Sequence, residues 1–174
     1  AEIAQWPLNH VVKCLFHYHA DDPEDLCARQ ERQALRLFDA CRATRHELLI
    51  EIIASKNGGV KHDTAARVLQ RFYDLGVKPD WWKLEPAGDA ETWTHIERTI
   101  AANDPHCRGV VVLGLSAPQT ELIQSFGPAA RCTIVKGFAV GRTIFNGAAE
   151  QWFRGEIDDA AAIDSLAANL SDLV

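Results

Sequence analysis

Five times along this chain a run of strand-forming residues is followed by a stretch with helical apolar spacing, and that alternation restricts the fold more than any other feature. The strand patterns are His10 to His19, Glu47 to Ala54, Trp81 to Glu85, Gly109 to Leu115 and Thr133 to Val140. The first helix is expected after Asp22-Pro23, an N-cap followed by proline at the first helical position, and to run to about Arg45. Its apolar stripe is Leu26, Leu35, Leu37, Phe38 and Cys41, with Glu31, Arg32 and Arg36 outside it. A second helix runs from Asp63 to Leu75 through Ala65, Val68, Leu69 and Phe72, and Gly76 is placed to end it. Asp89 caps a third through Trp93, Ile96, Ile100 and Ala101; a fourth spans Pro118 to Phe126. Two short helices, Ala148 to Phe153 and Asp158 to Leu173, close the chain. Strand followed by helix, repeated, calls for parallel strands joined by right-handed crossovers.

Two α/β architectures fit that order: a five-stranded doubly wound parallel sheet, or part of a (β/α)8 barrel. Charges inside the strand patterns choose between them. Lys13 lies within HVVKCLFH, Glu51 within HELLIEIIA and Lys83 within WWKLE. Alternation puts Trp81, Lys83 and Glu85 on one face of their strand, and Trp82 and Leu84 on the other. A doubly wound sheet would press these charges into an apolar layer, because helices cover both its faces. In a barrel one face of every strand looks into a shared interior, where opposite charges from neighbouring strands meet. The expected fold is therefore a partial (β/α)8 barrel of the TIM-barrel family.

At 174 residues the chain is long enough for a single domain, 1–174, with a substantial core. Its net charge of −6 and the lack of a Lys/Arg cluster argue against nucleic-acid binding. No apolar run approaches membrane-spanning length. The five cysteines, Cys14, Cys27, Cys41, Cys107 and Cys132, are scattered and show no Cys-x-x-Cys pair, which reads as reduced thiols of a cytoplasmic protein. The chain contains no methionine and opens without signal-peptide character. Ala1 is accordingly expected not to be the natural start, through removal of an initiator or tag or through cutting of a longer protein.

Lys13, Glu51 and Lys83 on successive barrel strands form a positive, negative, positive cluster suited to carbonyl chemistry. A lysine beside a second cation in a low-dielectric pocket has its pKa lowered, by up to about 3–5 units at the extreme, and attacks a ketone as the neutral amine. Glu51 would move protons as the carbinolamine forms and dehydrates. The alternative is a salt-bridge network that fills the barrel. Gly141-Arg142, at the end of the fifth strand, and Leu113-Gly114-Leu115-Ser116, after the fourth, read as an anion site, since glycine lets backbone N–H groups approach and arginine adds a charged fork. His17 and His19, two apart on a strand, are candidates for substrate contact; a metal site is not expected, because no third ligand has suitable spacing. No cofactor is implied, since nucleotide-binding and nucleophile-elbow patterns are missing.

The stretches HVVKCLFHYHADDPEDLCARQ, PDWWKLEP and VKGFAVGRTIF resemble the carboxyl-terminal part of the aldolase-like domain that many bacteria fuse behind 5-dehydro-2-deoxygluconokinase, the sugar kinase of inositol catabolism. Through its strand lysines the chain is also similar to the class I tagatose 1,6-bisphosphate aldolases. The resemblance implies a Schiff-base lyase of carbohydrate metabolism in which Lys83 matches the Schiff-base lysine, Lys13 the second active-site lysine and Glu51 the acid/base glutamate. Ser116, Gly141 and Arg142 fall where that family holds the substrate phosphate. The implied reaction cleaves 6-phospho-5-dehydro-2-deoxygluconate, a phosphorylated sugar acid, into dihydroxyacetone phosphate and malonate semialdehyde.

The family places an aspartate on its first strand, and nothing here matches that strand or the next two. The chain corresponds to strands four to eight, and alone is expected to be inactive. The missing part of the barrel and the fused kinase are the implied partners. An open barrel leaves two strand edges unpaired, so a homo-oligomer is expected. Two other functions fit the residues: a non-catalytic phosphometabolite-binding domain that regulates the kinase, and a barrel sugar-phosphate isomerase or epimerase using Glu51 as its base.

Overall fold

Alternation along each strand sends the residues that build the hydrophobic core to one side of a single sheet. The computed structural model describes residues 2–115 and 117–174. After a 3-10 turn at Glu2–Gln5 the elements are β1 (Val11–His17), α1 (Glu24–Thr44), β2 (Glu47–Ile53), α2 (Thr64–Asp74), β3 (Trp81–Leu84), α3 (Ala90–Asn103), β4 (Gly109–Leu113), α4 (Gln119–Ala129), β5 (Val135–Ala139), α5 (Arg142–Phe153) and α6 (Asp159–Ser171). All neighbouring strands are parallel and their order is β1-β2-β3-β4-β5. Sequential order has no reversal point, which rules out the doubly wound alternative. The sheet is an arc of a β/α barrel and not a closed one: among the described residues it ends at β1 and β5.

Val12, Phe16, Leu48, Ile50, Ile52, Trp82, Leu84, Val110 and Val112 point from the strands into the helical layer. There they meet Val68, Leu69 and Phe72 of α2 and Trp93, Ile96 and Ile100 of α3. Phe72 is the hub, edge-on to Tyr18 at 5.3 Å, Phe16 at 5.7 Å and Trp82 at 5.8 Å between ring centroids. Each such side chain stabilises the fold by roughly 1.5–3 kcal/mol through burial. The opposite, interior face is open at β1, where Val11 and Leu15 are exposed.

Local signals were obeyed unevenly. Asp89 caps α3 by accepting from Thr92 N at 2.8 Å. Gly76 closes α2 at φ 84, its N–H bonded to Tyr73 O and that of Val77 to Phe72 O. Asp22 does not cap α1; Pro23 holds the N-cap position, and the Asp22 carboxylate accepts from His19 N and Asn57 Nδ2 instead. Asp63 stands at the N-cap of α2 without a side-chain bond. Each of the five strands ends one or two residues earlier than expected, and α5 begins at Arg142, not Ala148. Glu31, expected outside the apolar stripe of α1, is buried, because Tyr18, just past the end of β1, and Arg71 of α2 meet it there.

Candidate active site at the carboxyl ends of the strands

Lys83 owes its position to its neighbours. Trp82 and Leu84 are fully buried on the helix side, and the Trp82 indole donates to Tyr73 Oη at 2.8 Å. Alternation then leaves Trp81 and Lys83 facing the interior. In the parallel register Glu51 of β2 stands directly across from Lys83. Lys83 Nζ lies 3.3 Å from Glu51 Oε1. Lys13 pairs in register with Leu49 and reaches diagonally, its ammonium touching Glu51 Oε2. That contact is ionic without an aligned hydrogen bond at Oε2. The Glu51 side chain is 8% exposed and that of Lys13 45%, since β1 borders the open side of the arc.

Above this triplet lies a cavity of about 210 Å³ at the carboxyl ends of β2 to β5. Glu51 and Lys83 line it, as do Gly114, Leu115, Gly141, Arg142, Thr143 and Phe145. Gly114 permits a close approach, because a Cβ there would fall 2.9 Å from Val140 Cγ1. Leu115 holds φ 50, a left-handed conformation that a branched side chain adopts at a cost and that clusters at binding sites. Gly141 is the N-cap of α5, so Arg142 opens the helix and the positive end of its dipole lies at the cavity wall. Thr143 Oγ1 donates to Ala117 O at 3.0 Å and ties α5 to the loop after β4.

Of the residues singled out in the sequence, Lys83, Glu51, Gly141 and Arg142, with Leu113, Gly114 and Leu115 of the stretch after β4, thus line one cavity. Lys13 joins through Glu51 but lies outside the lining. Ser116 lies outside the described residues; its neighbour Leu115 borders the cavity. The histidines are elsewhere. His17 is exposed at the end of β1, and its carbonyl accepts from Gln30 and Asn57. His19 is buried with Nδ1 accepting from Asp21 N, so its Nε2 carries the proton donated to Gly59 O at 3.2 Å. It fastens a loop.

Two fixtures beside the cavity escaped the sequence reading. The Glu85 carboxylate accepts from Ala54 N, Ser55 N and Ser55 Oγ, and so clamps the end of β2, where Glu51 sits, to β3. Its place on the Lys83 face was readable, but its partners, 30 and 31 residues back, were not. Thr143 and Phe145 enter the cavity because α5 starts at Arg142; the first turn after a strand-ending Gly-Arg was the available signal.

A β/α arc with a charged cavity at the carboxyl ends of its strands has the layout of part of a β/α barrel. The chain belongs to the family described as "Uncharacterized protein conserved in bacteria (DUF2090)", whose model matches residues 1–174. Among solved structures it is similar to fructose-bisphosphate aldolase from Plasmodium falciparum, determined in a ternary complex with TRAP and a small molecule inhibitor. That likeness has a TM-score of 0.63 at 13% identity and covers 94% of this chain and 54% of the aldolase chain. It is also similar to Cgl0159 from Corynebacterium glutamicum, with a TM-score of 0.53, 17% identity, and coverage of 91% and 49% respectively. The chain spans about half the length of both. A search of curated proteins returned no match. At these identities the likeness establishes the fold alone, an arc of an aldolase-like β/α barrel.

Proposed function

We propose that the chain is the carboxyl-terminal arc of a class I, Schiff-base aldolase. The observation that carries this reading is one buried carboxylate, Glu51, between two strand lysines, with Lys83 at the base of a cavity whose wall is Gly141-Arg142. Lys83 Nζ attacks the substrate ketone; Glu51 relays the protons that convert the carbinolamine to an iminium and release water. The bond between the carbons α and β to the iminium then breaks, its electrons passing to nitrogen as an enamine, while the β-hydroxyl loses its proton and becomes an aldehyde. That last proton needs a base besides Glu51, and Glu51 is the one carboxylate among the described lining residues. The preceding barrel strands are the proposed source. Arg142 and the α5 terminus hold the phosphate.

From the family resemblance, the proposed substrate is 6-phospho-5-dehydro-2-deoxygluconate, cleaved to dihydroxyacetone phosphate and malonate semialdehyde in the cytoplasm, by a barrel fused to its kinase and assembled as a homo-oligomer. One observation favours a second reading, a non-catalytic phosphometabolite binder: both lysines are held by the same glutamate, as in a structural ion web.

The test is borohydride reduction of this chain, and of the longest natural parent, after incubation with dihydroxyacetone phosphate, followed by peptide mass mapping. An adduct on Lys83 in the parent supports the aldolase reading. Phosphate-ligand binding with no adduct on Lys83 in either protein would replace it with the binder.

A further inference from the structure

The sheet has a second charged cavity at the amino ends of its strands, opposite the Lys83 site. It measures about 380 Å³ and is walled by Arg42, Arg45, His46, Glu47, Asp80 and Arg108. Two of the three guanidiniums have carboxylate partners: Arg42 contacts Asp80, and Arg108 Nη2 lies 2.9 Å from Glu47 Oε1. Both carboxylates are also fixed from within the sheet. Asp80 Oδ2 accepts from Leu48 N, and Glu47 Oε2 from the Trp81 indole, each at 2.8 Å. These bonds tie the wall to the starts of β2 and β3.

Arg45 stands outside that web. Among the described residues it forms no ion pair with a carboxylate, although it lines the same cavity. It holds φ 62 just past the end of α1, where its N–H bonds to Arg42 O and the next, from His46, to Cys41 O. This is the left-handed helix stop that glycine makes without steric cost and that a residue with a Cβ makes at some cost. The backbone role would be served better by glycine. What arginine adds is an exposed cationic side chain on a residue that lines the cavity.

We propose that this cavity binds a small oxyanion, phosphate or the phosphoryl group of a small metabolite, held by Arg45 together with Arg42 and Arg108. Three arginines face two carboxylates, and both carboxylates are engaged by donors of the sheet, so the cavity keeps an excess of positive charge. The planar fork of a guanidinium matches the oxygens of a tetrahedral oxyanion. The same excess makes the site unsuited to a cation. An ion web serving stability alone would explain the Arg42 and Arg108 pairs; Arg45, a cation at the carboxyl end of α1, adds a positive charge that no carboxylate of the web neutralises.

The experiment is a titration of inorganic phosphate into 15N-labelled protein followed by amide chemical shifts, with ionic strength held constant by sodium chloride. The protein carries Arg142→Ala, so that the cavity at the other end of the strands does not contribute. Saturable shifts are expected at the amides of Arg45, His46 and Arg108. Arg45→Gly in the same background should weaken phosphate at least tenfold while leaving the thermal midpoint unchanged or raised; Arg45→Asn, which also tolerates the left-handed conformation, serves as a second variant. Shifts that fail to saturate, shifts reproduced by chloride at equal ionic strength, or saturable binding untouched by either variant would each overturn the proposal. The outcome is independent of the Lys83 adduct.

Discussion

The two buried glutamates among the described residues lie at nearly the same depth, and they are held in opposite ways. Glu31, on the helix side, accepts from Tyr18 Oη at 2.6 Å and Arg71 Nε at 2.7 Å through Oε1, and from Arg71 Nη2 at 3.4 Å through Oε2. Glu51, on the interior side, has ammonium groups against both oxygens and no aligned hydrogen bond at Oε2. Burial pushes the Glu31 carboxyl up, but the hydrogen bonds from Arg71 and Tyr18, with the Arg71 charge, outweigh it and hold the group below its ordinary range. Burial, and next the bond to Glu31, pushes the Tyr18 hydroxyl well up. On the proposed aldolase function, the contrast separates what each cation is for. Arginine supplies a rigid fork that stays charged and fastens elements together. Lysine supplies a mobile amine that can shed its proton and bond to carbon, which a fastening does not need and carbonyl chemistry does.

The contrast is sharpest in the Glu51→Gln variant. Formation of the borohydride-trappable adduct on Lys83 in the parent protein should slow by about 100-fold or more, the usual scale for loss of a general acid/base. Its unfolding free energy in urea should change by less than about 1 kcal/mol. A stability loss as large as that at Glu31 would erase the distinction. Glu31→Ala should destabilise the fold by about 2–3 kcal/mol, because the Tyr18 hydroxyl loses its acceptor in the interior and the Arg71 pair is broken.

The acid limb sharpens the same point. The Glu31 pKa is depressed in the folded state, so its contribution is fully present above the ordinary value of 4.5 and is lost as pH falls through the lower folded value. The urea stability of wild type over Glu31→Gln should therefore shrink in that window and stay constant above it. Lys13→Ala is expected to have the smallest effect, under about 1 kcal/mol by thermal melting, because a half-exposed ammonium pairs weakly.

How much of this was legible depended on whether a residue's partner was fixed by a local period. The interior positions of Lys13, Glu51 and Lys83 follow from strand alternation, and a barrel arc follows from asking where such charges can meet. Gly141 and Arg142 were visible because a strand ran into them. Glu31 was not, since a charged residue beside an apolar stripe reads as solvent-facing. Its burial depends on Tyr18, 13 residues back, and Arg71, 40 residues on. The early start of α5 was hidden by the turn-like Gly141 and by Gly147 inside the helix. His19 looked like a strand residue because His17 precedes it with the right spacing, yet β1 ends at His17 and the chain turns. The left-handed Arg45 leaves no trace in the sequence, because only the helix end assigns that conformation.

The strictly sequential strand order has a kinetic consequence. Every strand pairs with the next one made, so a growing chain can consolidate one β/α unit at a time without waiting for a distant segment. The early units complete the aromatic cluster around Phe72. The last are held least: the β5 residues are half-buried or exposed, and α6 buries none of its side chains. Local opening should therefore begin at the carboxyl terminus and work inward. The strand end that carries Arg142 belongs to that looser margin, whereas Glu51 and Lys83 rise from the part that sets first.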